Sequence, residues 1–575
     1  MFRCFTLLTA TMLVFLLPAT GVAQDLFGEP GKADLVIFAR GTGRIVTVDP
    51  DLGDVEALAI RNGRILAAGN RDGMKAKMDD RTRVLYVENE QLAIPGFIEG
   101  HGHFVGLGES KMNLDLMNVR SWHEVIDMVA AAVQAAKPGD WIIGRGWHQE
   151  KWDSVPPGAV EGFPTHDRLS DVSPDNPVLL THASGHASFA NRKAMDMSGV
   201  SGSTADPEGG EILRDTNGQP TGIFVERASG LIAGPPPTTR RDRMARLDRA
   251  IDLATAECLE NGVTSFQDAG TTFPVLDQLL ERAQTRTLGV RLWMMIREPT
   301  ERLRVNLPQY RYRRVNANMF TIGGLKRSID GALGSRGAWL LEPYSDSPDS
   351  TGLATATVED VTAVGRLAYE YRLQLCVHAI GDRANREVLD IVERLTEAYP
   401  QVEARRWRIE HAQHLHPDDI PRFAELGVIA SMQGVHCTSD APWVEPRLGA
   451  ARASEGAYVW RSLLDSGAIV TNGTDAPVED VDPLASFHST VTRRTADGSV
   501  FYPEQRLNRM EALETYTINA AYAAFEDDIK GSLKPGKLAD IVILSKDILQ
   551  VPEEEILQTK VVRTILAGNV VYESK

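Results

Sequence analysis

The chain has 575 residues, of which 43% are hydrophobic and 24% charged, with a formal net charge of -17. That balance suits a soluble globular protein with a large core, and the acidic surplus makes nucleic acid and anionic membranes poor partners. Four cysteines, scattered over this length, do not make a disulfide framework.

The N-terminus reads as a targeting segment. Arg3 precedes an almost wholly apolar run over residues 5–17, Pro18 breaks it, and Gly21, Val22 and Ala23 supply small residues for cleavage. Residues 1–23 are therefore expected to be a signal peptide, with the mature protein periplasmic or secreted. The run is short for a membrane span, and no stable membrane association is expected after cleavage.

Short β segments follow at residues 34–38, 44–49, 55–61, 64–69 and 83–88, with Asn62-Gly63 as a hairpin signal between two of them. The same style returns at 540–545, 561–567 and 570–573. Two β-rich ends predict one composite sandwich from residues 33–93 and 535–575. The middle alternates helical patterns (122–136, 241–261, 358–372, 384–399, 508–524) with apolar runs (141–144, 178–181, 289–296, 373–378, 428–432, 468–472). Alternation of this kind implies a parallel sheet. The fold class expected is α/β: a (β/α)8 TIM-like barrel over 94–534, with an insertion at about 138–237, beside the composite sandwich.

His101 and His103 close the run Gly96-Phe97-Ile98-Glu99-Gly100-His101-Gly102-His103. A strand turns residues i and i+2 to one side, so two imidazoles would be presented together, as a divalent transition metal requires. His378, His411 and Asp475 each end a predicted strand, which is where barrel enzymes place catalytic groups. Five ligand types on one rim predict a metal centre. His186, in Ser184-Gly185-His186, and His436 are candidates for orienting a carbonyl. Trp147, Trp152, Phe163 and Trp443 could wall the barrel mouth. His123, His166, His414 and His416 are expected at the surface.

Several segments together resemble the amidohydrolase superfamily, and within it the YtcJ-like (amidohydrolase-3) branch that includes N-substituted formamide deformylases. They are residues 94–98 with the His-x-His, Gly144-Arg145-Gly146-Trp147, Gly185-His186, Asp330-Gly331-Ala332-Leu333-Gly334-Ser335-Arg336, Gly473-Thr474-Asp475-Ala476-Pro477 and residues 531–540. The resemblance covers residues 33–575. It implies the barrel and composite sandwich, and it draws attention to Lys326, which in binuclear relatives is a carboxylated lysine on the fourth strand that bridges two metals. It also makes Trp147, His148, His186, Arg336 and His436 candidate substrate contacts. Two departures stand out: Glu99 and Gly100 precede the His-x-His where Asp is common, and His148 follows Trp147 where an aspartate is common.

The chemistry expected is hydrolysis by water activated on one or two divalent ions, zinc being the expected metal, with Asp475 as general base and then acid and His186 and His436 near the carbonyl. The partner is a small-molecule substrate, taken by a monomer or a homodimer. A C–N bond in an amide, N-formyl or N-acyl compound is the first reading. A lactone, ester or phosphoester hydrolase, a deaminase, and a silent exported binding protein are the alternatives.

Overall fold

The computed structural model describes residues 31–235, 239–310, 314–400 and 405–575. The segment expected as a leader lies outside the described residues. At the centre is an eight-stranded sheet: β1 (Phe97–Gly102), β2 (Val263–Thr271), β3 (Arg291–Ile296), β4 (Phe320–Ser328), β5 (Gln374–Ala379), β6 (Arg408–His411), β7 (Ile429–Gln433) and β8 (Val470–Gly473). Every paired neighbour is parallel, in sequence order from β1 to β8.

The seam between β1 and β8 explains why glycine stands beside the ligand residues. A Cβ on Gly100 would lie 2.4 Å from the Asn472 carbonyl oxygen, and one on Gly473 would lie 2.7 Å from the His101 amide nitrogen. Only glycine permits that approach. The Asp475 amide then donates to the His101 carbonyl at 2.9 Å, and the Glu99 carboxyl accepts from the Thr474 amide at 2.5 Å. The barrel is thereby nearly closed.

Two barrel strands, β2 and β4, lie outside the apolar runs of the sequence. Val263–Thr271 carries Thr264, Ser265, Gln267 and Asp268, and Phe320–Ser328 carries Gly323, Gly324 and Lys326. Their inward residues are polar or tiny, so neither reads as a hydrophobic run. Conversely, the runs at 141–144 and 178–181 belong to a separate six-stranded mixed sheet.

That sheet spans Leu114–Asp115 to Pro220–Glu226 and takes in the helix Trp122–Ala135. It begins well before residue 138, where the sequence puts the insertion. Trp122, Trp147, Leu180 and Phe189 form its core. The two termini pair directly: Leu92–Pro95 runs antiparallel to Ile541–Leu544. Ile37, Ile60, Ile541 and Ile565 pack between that sheet and the four-stranded N-terminal one. Asn62 and Gly63 both have positive φ, which is the type I′ geometry the dipeptide favours.

Barrel and sandwich are joined by a buried ion pair. The Arg291 guanidinium at the start of β3 grips Asp540 with Nε at 2.6 Å and a second nitrogen at 2.9 Å, and Asp540 also accepts from the Ala567 amide at 2.9 Å. Asp540→Asn should remove about 3–5 kcal/mol of stability, because it leaves Arg291 buried and unpaired. Urea unfolding checks this; a loss under roughly 1 kcal/mol would show that the pair does not hold the two parts together.

Candidate active site

The C-terminal rim of the barrel gathers the residue types singled out in the sequence. Ligand atoms of His101, His103 and Asp475 all lie within 4.8 Å of one another, with Asp475 Oδ1 3.5 Å from His101 Nε2 and 3.2 Å from His103 Nε2. The His411 ring packs 4.6 Å from His101 and 4.5 Å from His378. His186, reaching in from the inserted domain, lies 5.0 Å from His378. Lys326, 2% exposed on β4, completes the ring of groups.

Outer partners fix the tautomers. The His101 Nδ1–H donates to Glu410 Oε2 at 2.5 Å, and the His411 Nδ1–H donates to Gln433 Oε1 at 2.8 Å, whose own amide nitrogen donates to the Ser431 carbonyl. Both imidazoles are left with a lone pair on Nε2, the arrangement in which metal-binding histidines are usually held. Among the described residues, His101 Nε2 and His378 Nε2 are buried without a hydrogen-bond partner, and Asp475 Oδ1 faces the nitrogens of His101 and His103. The His101, His103 and Asp475 ligand atoms, gathered within 4.8 Å, fit a divalent cation, which would satisfy the buried His101 Nε2.

Electrostatics agree with that fit. Burial lowers His378 and His411 below the usual imidazole value, and brings His101 down to about 4, so all three are neutral at pH 7. Burial opposes ionisation of Asp475, but His101 and His103 hold its carboxyl well below the usual carboxylate range. Burial also opposes ionisation of Glu410, and Arg408 and His101 outweigh it. Burial brings the Lys326 ammonium down to about 8. Asp330, pushed up to about 7 by burial, accepts from the Trp339, Ile380 and Gly381 amides at 2.8–3.0 Å and makes no ion pair with Lys326.

His186 differs from the ligand histidines. Its Nδ1–H donates to both oxygens of Glu226 at 3.0 Å. Burial disfavours its charge, but the Glu226 carboxylate more than offsets this and raises its pKa. Glu226 has φ +51, ψ -125, a conformation foreign to non-glycine residues. A Cβ on Gly331 would lie 2.0 Å from Glu226 Oε1, and one on Gly337 2.7 Å. The glycines of the 330–337 segment thus make room for the carboxylate that charges His186.

Two cavities open onto these groups. The larger, about 790 Å³, reaches Lys326, His378 and four arginines. The smaller, about 50 Å³, is walled by His148, Leu333, Ile380 and Trp443. His148 stacks on Trp443 with ring centres 4.5 Å apart. His436 lines the smaller cavity, its Nδ1 accepting from Gln413 Nε2 at 3.2 Å.

Trp147 and Arg336 require correction. Trp147 is fully buried in the inserted domain and donates from Nε1 to the Leu180 carbonyl at 3.0 Å. Gly146 (φ +112) shifts the strand register between Arg145 and Trp147, so Arg145 faces the cavity while the indole enters the core. Trp152 and Phe163 pack in the same core. Arg336 pairs with Asp346 at 3.1 Å and Glu161 at 3.6 Å and lines neither cavity. His166 and His414 are buried rather than at the surface, whereas His123 and His416 are exposed.

The family model described as the Amidohydrolase family matches residues 89–572. The chain belongs to this family. Among curated relatives of this amidohydrolase, Protein LONG AFTER FAR-RED 3 of Arabidopsis thaliana is 34% identical over 551 residues, covering 94% of this chain and 92% of that one. The N-substituted formamide deformylase of Arthrobacter pascens is 26% identical over 560 residues, covering 94% and 98%. Among solved structures, an uncharacterized metal-dependent hydrolase from Pyrococcus horikoshii superposes with a TM-score of 0.70 at 27% identity, covering 90% of this chain and 99% of that one.

Glu410 tests the support given to His101. Glu410→Gln keeps the shape but weakens the hold on Nδ1, and should lower the amidohydrolase's metal affinity about 10-fold to 100-fold in equilibrium dialysis. Unchanged affinity would remove Glu410 from the centre.

Proposed function

We propose that this amidohydrolase cleaves the C–N bond of an amide, N-formyl or N-acyl compound, with a divalent cation held by His101, His103, His378, His411 and Asp475. The observation that carries the reading is the cluster of His101, His103 and Asp475 ligand atoms within 4.8 Å of one another, beside a His186 held by Glu226. The formamide deformylase named above supports the choice of bond. When bound, such a cation, with zinc the expected ion, supplies Lewis acidity and lowers the pKa of water from about 15.7 to roughly 7.

The chain's own groups do the rest. Asp475, kept ionised, takes a proton from the attacking water and returns it to the leaving nitrogen. His186, its pKa raised by Glu226 against the effect of burial, donates from Nε2 toward the carbonyl oxygen, where negative charge develops. His436 stands across the smaller cavity as a second donor. Lys326 is included as the site of a carbamate that would hold a second ion: a lysine brought down to about 8 offers more neutral amine to carbon dioxide, losing a proton as the N–C bond forms. Export is part of the reading, on residues 1–23 alone, and the mature protein from a cell envelope should begin at about residue 24.

Chelation should abolish turnover and added zinc should restore it, with free amine and no ammonia released from N-formyl and N-acyl substrates. Activity confined to esters, or release of ammonia, would overturn the choice of bond. Asp475→Asn should lower kcat about a hundredfold to ten-thousandfold. Because Glu226 raises the His186 pKa, a rate that needs His186 protonated holds below that pKa and falls as pH rises through it. Glu226→Gln should move this basic limb of the pH–rate profile to lower pH; an unmoved limb would remove His186 from the reaction. Isotope-labelled bicarbonate should label wild-type protein and not Lys326→Ala.

A further inference from the structure

The larger cavity holds a charge imbalance that hydrolysis of a neutral amide does not use. Each carboxylate on its wall is already engaged: Glu226 with His186 at 3.0 Å, Glu298 with Arg302 at 2.9 Å, Asp360 with Arg327 at 2.9 Å, and Asp475 with His103 at 3.2 Å. Among the described residues, three guanidinium groups on the same wall have no carboxylate within ion-pair distance. Arg145 donates only to the Pro477 carbonyl at 3.3 Å and the Ala183 carbonyl at 3.0 Å. Arg297 donates only to Ser328 Oγ at 3.3 Å. Arg227 has no carboxylate within ion-pair distance among the described residues.

Elsewhere buried arginines are tied down in one of two ways. Arg493, inside the packed core, is held by the Phe501 and Tyr458 carbonyls. Arg291, Arg408 and Arg447 each meet a carboxylate. Unlike Arg493, Arg145, Arg227 and Arg297 line one open cavity together, and three cations without a carboxylate there mark a place for an anion from outside, since planar guanidinium groups match a carboxylate in two-point contact.

The two cavities also differ in what they can hold. They share Ser184, His186, His411, Asp475 and Val478, so the reacting bond lies where they meet. The arm of about 50 Å³ accommodates a group of only a few water-sized spheres, each taking about 10–15 Å³. The arm of about 790 Å³ falls in the range of whole ligands, about 300–1,000 Å³.

We infer that the substrate is a short-chain N-acyl compound, formyl or acetyl in size, whose amine half carries a carboxylate read by Arg145, Arg227 and Arg297. The inference rests on the proposed C–N hydrolysis and adds the substrate class to it. Water's oxygen goes to the acyl carbon, the C–N bond breaks, and water's proton ends on the nitrogen, releasing a short carboxylic acid and an amino acid-like amine.

Metal-loaded protein should be compared on N-formylphenylalanine and N-formyl-2-phenylethylamine, which lacks only the carboxylate. Wild type should prefer the first by about tenfold to a hundredfold in kcat/KM. R145Q, R227Q and R297Q should each shrink that preference, and the corresponding Lys variants should retain part of it. As a readout independent of turnover, 3-phenylpropionate should bind metal-stripped wild type, more weakly at high salt, and about tenfold more weakly to each Gln variant. Equal turnover of both formamides would overturn this inference and leave C–N hydrolysis standing. Turnover of neither would overturn the proposed reaction, and the 3-phenylpropionate titration would still decide the anion site: binding untouched by all three substitutions would overturn it.

Discussion

A cation with almost no exposure stands on the barrel axis, and the site is built on it. Arg408 reaches from β6 to the Gly100 carbonyl on β1 at 2.7 Å, Ser431 Oγ on β7 at 2.7 Å, Gln267 on β2, and Glu410 Oε2 at 2.9 Å. A guanidinium has five donors and cannot shed its charge, so each of those acceptors must be held in place for the barrel to tolerate it. The same interaction keeps Glu410 ionised, and ionised Glu410 holds the His101 proton on Nδ1. Barrel closure and ligand tautomer are thus one constraint: the carbonyl that Arg408 grips belongs to the residue next to His101.

Three site residues stand in strained backbone. His411 (φ +78), Asp475 (φ +56) and Glu226 (φ +51) all occupy the region that disfavours side chains, at a cost of about 1–3 kcal/mol each. Each is held by a neighbouring contact: His411 by Gln433, Asp475 by the His101 carbonyl, Glu226 by His186. For His411 the strain has a visible use. Glu410 and His411 are adjacent, and regular alternation would send them to opposite faces. The left-handed turn at His411 lets Glu410 enter the barrel while its neighbour still reaches the rim.

That geometry also explains what the sequence could and could not disclose. His101, His103, His378, His411 and Asp475 were legible because metal-binding residue types stood at the ends of strand-like runs, and strand ends share a face in a barrel. Glu410 was hidden by its neighbour, since a residue beside a ligand reads as pointing away from it. Glu226 was hidden by its backbone, which no composition or spacing reports. The aromatic reading of Trp147 failed at Gly146, where the register shift sends Arg145 and Trp147, two residues apart, to opposite faces. Strands β2 and β4 were passed over because a barrel that holds a buried Arg408, Gln267 and Lys326 lines itself with polar and small residues.

Division of labour between the barrel and the inserted domain follows from where each group originates. The proposed ligands come from β1, β5, β6 and the turn after β8, and His101 is tied to Arg408 through Glu410. His186, Glu226, Arg145 and Arg227 come from the inserted sheet and its end, which the barrel does not need for closure. A carboxylate-bearing substrate poses a particular problem for a site with a divalent cation, because its carboxylate is itself a competent ligand and would bind unproductively. In the inferred reading Arg145, Arg227 and Arg297 answer this by competing with the ion for the carboxylate in two-point contacts, leaving the weaker ligand, the amide oxygen, toward the reacting side. In the proposed reading the arginines therefore decide which end of the substrate meets the metal centre, a task that a neutral wall could not perform.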